Sequence, residues 1–212
     1  MQDHSIPRAA MMGAASGVLL MAFFSTAWAS LAISALNGWG NAFLSPLVWL
    51  TGIIQLIAGI YLLVLARRFP VATAEQQAQG RNMGKWYGII FGLEGVFIGI
   101  ASAICNISGH AEILIPIIVL IVGLHFYPFA RIFNRRIDYW LASWTCLVAL
   151  VALFAVPATP ITSGGMTIDM QWLVCGLGAA IATWIYSVYG FREGMRMLRF
   201  NKQRQVEVTL PS

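Results

Sequence analysis

The run Ile117-Ile118-Val119-Leu120-Ile121-Val122 contains no polar side chain and lies inside an apolar stretch from about 112 to 133. A chain that places such a run in lipid has few folds open to it. Every backbone N–H and C=O must be paired within a helix or a closed barrel, because hydrocarbon offers no partner. Barrel strands alternate lipid-facing and lumen-facing residues, and this run does not alternate. It reads as a helix, at about the 20 residues needed to cross roughly 30 Å of hydrocarbon.

Five other stretches qualify in the same way, at about 10–36, 44–66, 86–107, 138–158 and 171–191. The expected fold class is all-α: a six-transmembrane-helix bundle in which residues 1–212 form a single integral membrane domain. Residues 192–212 make a basic cytoplasmic tail. Composition agrees, with 59% hydrophobic and 10% charged residues against about 25% charged in soluble domains. The first stretch resembles a secretory signal in Arg8, its apolar centre and Ala27-Trp28-Ala29. Its apolar run continues to Leu36, however, so a retained helix is expected.

All 13 Lys and Arg fall in four clusters: Arg8; Arg67, Arg68, Arg81 and Lys85; Arg131, Arg135 and Arg136; and Arg192 to Arg204. The loops near 37–43, 108–111 and 159–170 have none. By the positive-inside rule both termini lie in the cytoplasm and the protein is a multi-pass component of the cytoplasmic membrane. Arg192, Arg196 and Arg199 share a helix face that suits anionic lipid headgroups, or serves as an ordinary topology anchor. The clusters sit at the ends of apolar segments and carry no recognition fold, so nucleic acid is not an expected partner.

Between these segments, Pro70–Arg81 is polar and rich in Ala and Gln, suiting a short interfacial helix or a mobile loop. The loop A-T-P-I-T-S-G-G-M-T carries Pro and Gly breakers and should be irregular. Cys105, Cys146 and Cys175 form no metal or redox motif. They read best as small buried hydrophobes, although a Cys105–Cys175 bridge is open on position. Trp39, Trp49, Trp86, Trp140 and Trp172 suit an aromatic belt. An internal repeat is suggested by Ile53–Phe69 and Ile117–Phe133, which share eight of seventeen positions, Gly59/Gly123 and Arg67/Arg131 among them. It would divide the chain into three helical hairpins, as in many transporters.

Chemistry concentrates in two places. Glu94 lies in the third helix beside a stripe of Gly88, Gly92, Gly95 and Gly99, spaced for close approach of another helix. Because the carboxylate should not face lipid and projects away from the stripe, this helix is expected to be central. His125 lies in the fourth helix, and Pro128 after it should break that helix by removing the donor to the Leu124 carbonyl. At 1.5 Å per residue, Glu94 is about 12 Å and His125 about 9 Å from the cytoplasmic boundary, so the two should meet. Gln55, Tyr61, Thr145, Thr183 and Tyr186 fall at similar depths, giving a polar layer with Gln55, Tyr61 and Tyr186 as further substrate- or ion-binding candidates. An intramembrane acid and base point to proton handling or cation binding; the alternative is a buried pair that only fixes packing. An unperturbed histidine titrates near about 6.5.

On the other side, Asn106, His110, Glu112 and Asp169, with Asn37 and Asn41, read as solvated loop chemistry rather than an ion site. No Walker loop, dinucleotide fingerprint, nucleophile elbow or H-E-x-x-H is present. Histidines 4, 110 and 125 do not offer paired haem ligands at one depth, so neither cofactor nor metal is expected.

The stretch Val122-Gly123-Leu124-His125-Phe126-Tyr127-Pro128-Phe129-Ala130-Arg131, with Glu94-Gly95 before it, resembles a pattern in small uncharacterised bacterial multi-pass integral membrane proteins. The resemblance covers about half the chain, mainly helices three to five. It implies a bacterial cytoplasmic-membrane protein and brings no catalytic residue. Three functions remain open. A small-solute or ion transporter coupled through Glu94 and His125 is the leading one. A non-transporting assembly or regulatory subunit would use the glycine stripe, self-association included. An intramembrane enzyme acting on lipid is the third, weakened by the lack of a third catalytic group or oxyanion donor.

Overall fold

The computed structural model describes residues 6–209. It contains six long helices: α1 (Arg8–Ser34), α2 (Asn41–Ala66), α3 (Ala74–Ile107), α4 (Leu114–Ile132), α5 (Arg136–Ala155) and α6 (Met170–Thr209). Each is long and apolar enough to cross a membrane. His4 and residues 210–212 of the expected tail lie outside the described residues.

Successive helices run antiparallel, and side-by-side packing gives the order α3, α4, α5, α6, α1, α2. Close approach is built on small residues, as suits helices in lipid, where van der Waals contact rather than hydrophobicity drives association. At the α1–α6 seam, a Cβ on Gly176 would stand 2.7 Å from the Ala32 nitrogen and 2.8 Å from the Trp28 carbonyl oxygen. Buried Ala15, Ala22, Ala29 and Ala32 of α1 and Ala179 and Ala180 of α6 give both helices the same small-residue character. At the α4–α5 seam, Gly123 meets the backbone of Cys146, whose nitrogen would be 2.9 Å from an added Cβ. Around these seams lie apolar clusters, among them Met11, Val18, Leu62, Leu65 and Phe69 where the arginine-bearing ends of α1, α2 and α6 converge. The outward faces are apolar as well, with Ile53, Ile54, Leu56, Ile57 and Ile60 of α2 all exposed.

Three expectations need correction. Residues 74–85 are neither a separate helix nor a loop but the opening turns of α3. A capping box starts them: the Gln76 backbone N–H donates to Thr73 Oγ1 at 3.3 Å, and the Thr73 N–H donates to Gln76 Oε1 at 3.0 Å. This reciprocal pairing satisfies two of the otherwise orphaned donors at a helix start. The loop expected to be irregular is a hairpin, β1 (Ile161–Ser163) paired antiparallel with β2 (Met166–Ile168). Gly164 and Gly165 turn it at φ +57° and +81°, the doubly left-handed geometry of a two-residue turn whose twist matches the strands.

The third correction concerns α3, which is an edge helix packed chiefly on α4 rather than a central one. Its glycine stripe faces nothing among the described residues: a Cβ on Gly88, Gly92, Gly95 or Gly99 would meet none of their atoms within 4 Å. The repeat-matched glycines also differ in partner. Gly59 approaches Leu19 on the preceding helix, whereas Gly123 approaches Cys146 on the following one.

Candidate functional site

Glu94 and His125 come together across the α3–α4 seam, with Glu94 Oε1 3.5 Å from His125 Nδ1. Both side chains are nearly buried, at 11% and 8% exposure. Placement follows from local sequence. In α4, Phe126, Phe129 and Gly123 are buried while Leu124 and Pro128 are exposed, so His125 is carried on the inward side. In α3, Ile90 is buried and Phe91 and Glu94 lie on the same side one turn apart, towards α4.

The contact is not a formed hydrogen bond. His125 Nδ1 and Glu94 Oε2 are buried without a hydrogen-bond partner among the described residues. Aromatic rings close the surroundings: His125 lies 5.4 Å from Phe91, 4.2 Å from Phe126 and 5.3 Å from Phe129, between ring centroids. A carboxyl and an imidazole with one proton between them are net neutral whichever group holds it. A second proton, or none, leaves a net charge in a poorly solvated place, which is costly unless a counter-charge arrives. Such a pair can give up one cation as another binds.

The aromatic wall continues toward the arginine-bearing end. Tyr87 stacks on Phe129 at 4.9 Å, Phe129 meets Phe133 at 5.5 Å, and Phe126 meets Tyr186 at 6.0 Å. There it reaches an ionic pair, Arg135 Nε to Asp138 Oδ2 at 3.0 Å, with Asp138 fully buried. The Tyr186 hydroxyl approaches the same carboxylate. Tyr186 was thus singled out by depth and does border this region, one ring away from His125.

Asp138 was missed by the sequence reading. The signal was an acidic residue in the first turn of α5, two residues after Arg136. That position is the first residue of the expected fifth helix, where a charge draws no notice.

Gln55 and Tyr61 are not part of this site. Their helix, α2, packs on α1 and α6. Gln55 donates to Ser25 Oγ at 2.9 Å, and Tyr61 is 47% exposed on the outer surface. Depth matched, but depth says nothing about which helix lies beside which. Thr183 donates to the Ala179 and Ala180 carbonyls of its own helix, and Thr145 is buried. The expected single polar layer is therefore divided between separate seams. Pro128 does not break α4, which runs through it to Ile132. Pro128 and Leu124 are both exposed, so the carbonyl deprived of its donor lies on the outer face, away from His125.

On the opposite side, His110 Nδ1 is 3.1 Å from Glu112 Oε1, and Asn37 donates to the Thr167 carbonyl at 3.0 Å. Among the described residues, no group of three or more His, Cys, Asp or Glu is arranged to hold a metal ion. Cys105, Cys146 and Cys175 are free thiols, two of them buried. Trp39, Trp49, Trp86 and Trp140 are exposed, in keeping with interfacial anchoring. No protein-family description, curated protein or solved structure matches the chain.

Proposed function

We propose that this multi-pass membrane protein is a small-solute or ion transporter in which Glu94 and His125 exchange protons or cations during the transport cycle. One observation carries the reading: an acid and a base 3.5 Å apart, nearly buried and with unsatisfied polar atoms, at the seam of two otherwise apolar helices. Intramembrane ionisable residues are expensive to keep and mark ion or proton pathways more often than they serve packing. Six crossings return the chain to its starting side, and the arginine clusters assign that side to the cytoplasm. A bacterial cytoplasmic membrane fits the resemblance around Gly123–Arg131, and the arginine face of α6 fits anionic headgroups.

The test is flux in liposomes under an imposed pH gradient. Glu94→Gln and His125→Ala should each abolish coupling while leaving the protein folded. Coupled flux that survives both substitutions removes these residues from the mechanism.

A second reading, an assembly subunit, is favoured by the glycine stripe of α3, against which no described residue packs. Disulfide cross-linking between Gly92→Cys copies in native membranes would support it, and a strictly monomeric protein would end it.

A further inference from the structure

Arg135 is held as a cation in a cradle. Its guanidinium carbon lies 5.0 Å from the centroid of Phe133 and 5.5 Å from that of Tyr186, while its Nε faces the buried Asp138 carboxylate at 3.0 Å. Two aromatic faces and a desolvated carboxylate are the elements by which proteins recognise organic cations. Arg135 is only 32% exposed, but it enters from the α4–α5 turn, where Asn134 adopts φ +50°. Its backbone is thus outside the helices, and the side chain lies in the cradle as a tethered occupant.

That occupant leaves the cradle unsatisfied. It meets Asp138 through Nε at one oxygen, not through the two-point fork that makes guanidinium–carboxylate pairs strong. Asp138 Oδ1 and Oδ2 and Arg135 Nε all lack well-formed hydrogen bonds among the described residues. A free guanidinium, unconstrained by a backbone, can lie flat on the rings and present two donors to the carboxylate. The cradle also connects inward through Phe133, Phe129 and Tyr87 to the surroundings of Glu94 and His125.

We infer that Phe133, Tyr186 and Asp138 form a binding site for small organic cations of the guanidinium or alkylammonium type, which Arg135 occupies as a tethered competitor until a free cation displaces it. This narrows the transport reading, on which its role in a cycle rests, by naming the class of solute. The site as a binding site stands on its own geometry.

Equilibrium binding of radiolabelled methylguanidinium to the full chain in lipid nanodiscs tests it. Arg135→Ala removes the competitor and should tighten binding by at least about tenfold, the scale of a desolvated cation–aromatic contact. Adding Asp138→Asn to that variant should reverse the gain, and Tyr186→Leu in the otherwise unaltered protein should weaken binding severalfold. If Arg135→Ala does not fold, Arg135→Gln is judged by the same criterion. Binding that is no tighter without the arginine, or indifferent to Asp138→Asn, overturns the inference. Coupled flux dependent on Glu94, together with methylguanidinium binding indifferent to these changes, would leave the transport reading intact and remove only the cation site. Binding that follows the expected order in a protein without coupled flux would do the reverse.

Discussion

The carboxyl of Glu94 stops 3.5 Å from Nδ1 of His125, close enough to share a proton through a small movement and outside a formed hydrogen bond. A pair kept for packing would be expected to complete its bonds, since each unsatisfied buried polar group costs about 1–3 kcal/mol. Here Glu94 Oε2 and His125 Nδ1 stay without hydrogen-bond partners among the described residues. The cost is tolerated at the seam between α3 and α4, where it does little for the fold.

Replacing both members at once separates the two roles. Glu94→Leu with His125→Phe should leave thermal stability in detergent unchanged or raise it by about 1–4 kcal/mol, as when a buried ionic pair gives way to apolar residues of similar volume. Coupled flux should vanish in the same protein. A loss of about 3 kcal/mol or more would make the pair structural.

Asp138 should behave differently. Asp138→Ala leaves Arg135 over Phe133 and Tyr186 without its carboxylate, and breaking a buried pair in this way costs about 3–5 kcal/mol. Glu193 makes the contrast, 3.7 Å from an Arg196 that is 81% exposed, so that Glu193→Ala should cost less than about 1 kcal/mol. Chemical denaturation of the two variants side by side reads the difference.

Two glycine substitutions should diverge as sharply. Gly176→Ala drives a methyl into the Ala32 and Trp28 backbone, where no side chain can swing aside, and overpacking of this kind costs about 1–3 kcal/mol or more. Gly92→Ala meets open space and should leave the melting temperature of the isolated chain unchanged. If Gly92→Ala instead dissolves a dimer seen by analytical ultracentrifugation, the assembly reading gains its first direct support.

The hairpin offers a purely backbone test. Gly165 sits at φ +81° with nothing near a would-be Cβ, so Gly165→Val costs only conformational strain, about 1–2 kcal/mol. Faster amide exchange at Ile161 and Ile168, the paired residues whose N–H groups face across the ladder, with unchanged exchange in α6 is the expected signature.

Much of the fold was legible because the bilayer makes a simple demand: the apolar runs gave all six helices, with ends displaced by a few residues except at the end of α6, which runs on to Thr209, and at the start of α3. There, Thr73-Ala74-Glu75-Gln76 held the start signal, but polar composition obscured it. Gly164-Gly165 between Ile161-Thr162 and Thr167-Ile168 was likewise a hairpin signature that reading the glycines only as breakers concealed. The Glu94–His125 meeting followed from matched depth on helices joined by a short loop, which makes them neighbours. The same depth argument misplaced Gln55 and Tyr61, because lateral order among non-consecutive helices is set by small-residue seams such as Gly176–Ala32, and those are visible only once both helices are in place.

The edge position of α3 has a consequence for the acid it carries. Elements with few packed contacts reach their open states at low free energy, well below the cost of unfolding the whole. Glu94 rides on a helix braced chiefly by α4, while His125 rides on one packed on both flanks. The acid is therefore mounted on the compliant support and the base on the stiff one. Any tilt of α3 changes the gap between them before it disturbs α1, α5 or α6, which makes this 3.5 Å spacing adjustable without repacking the rest of the bundle.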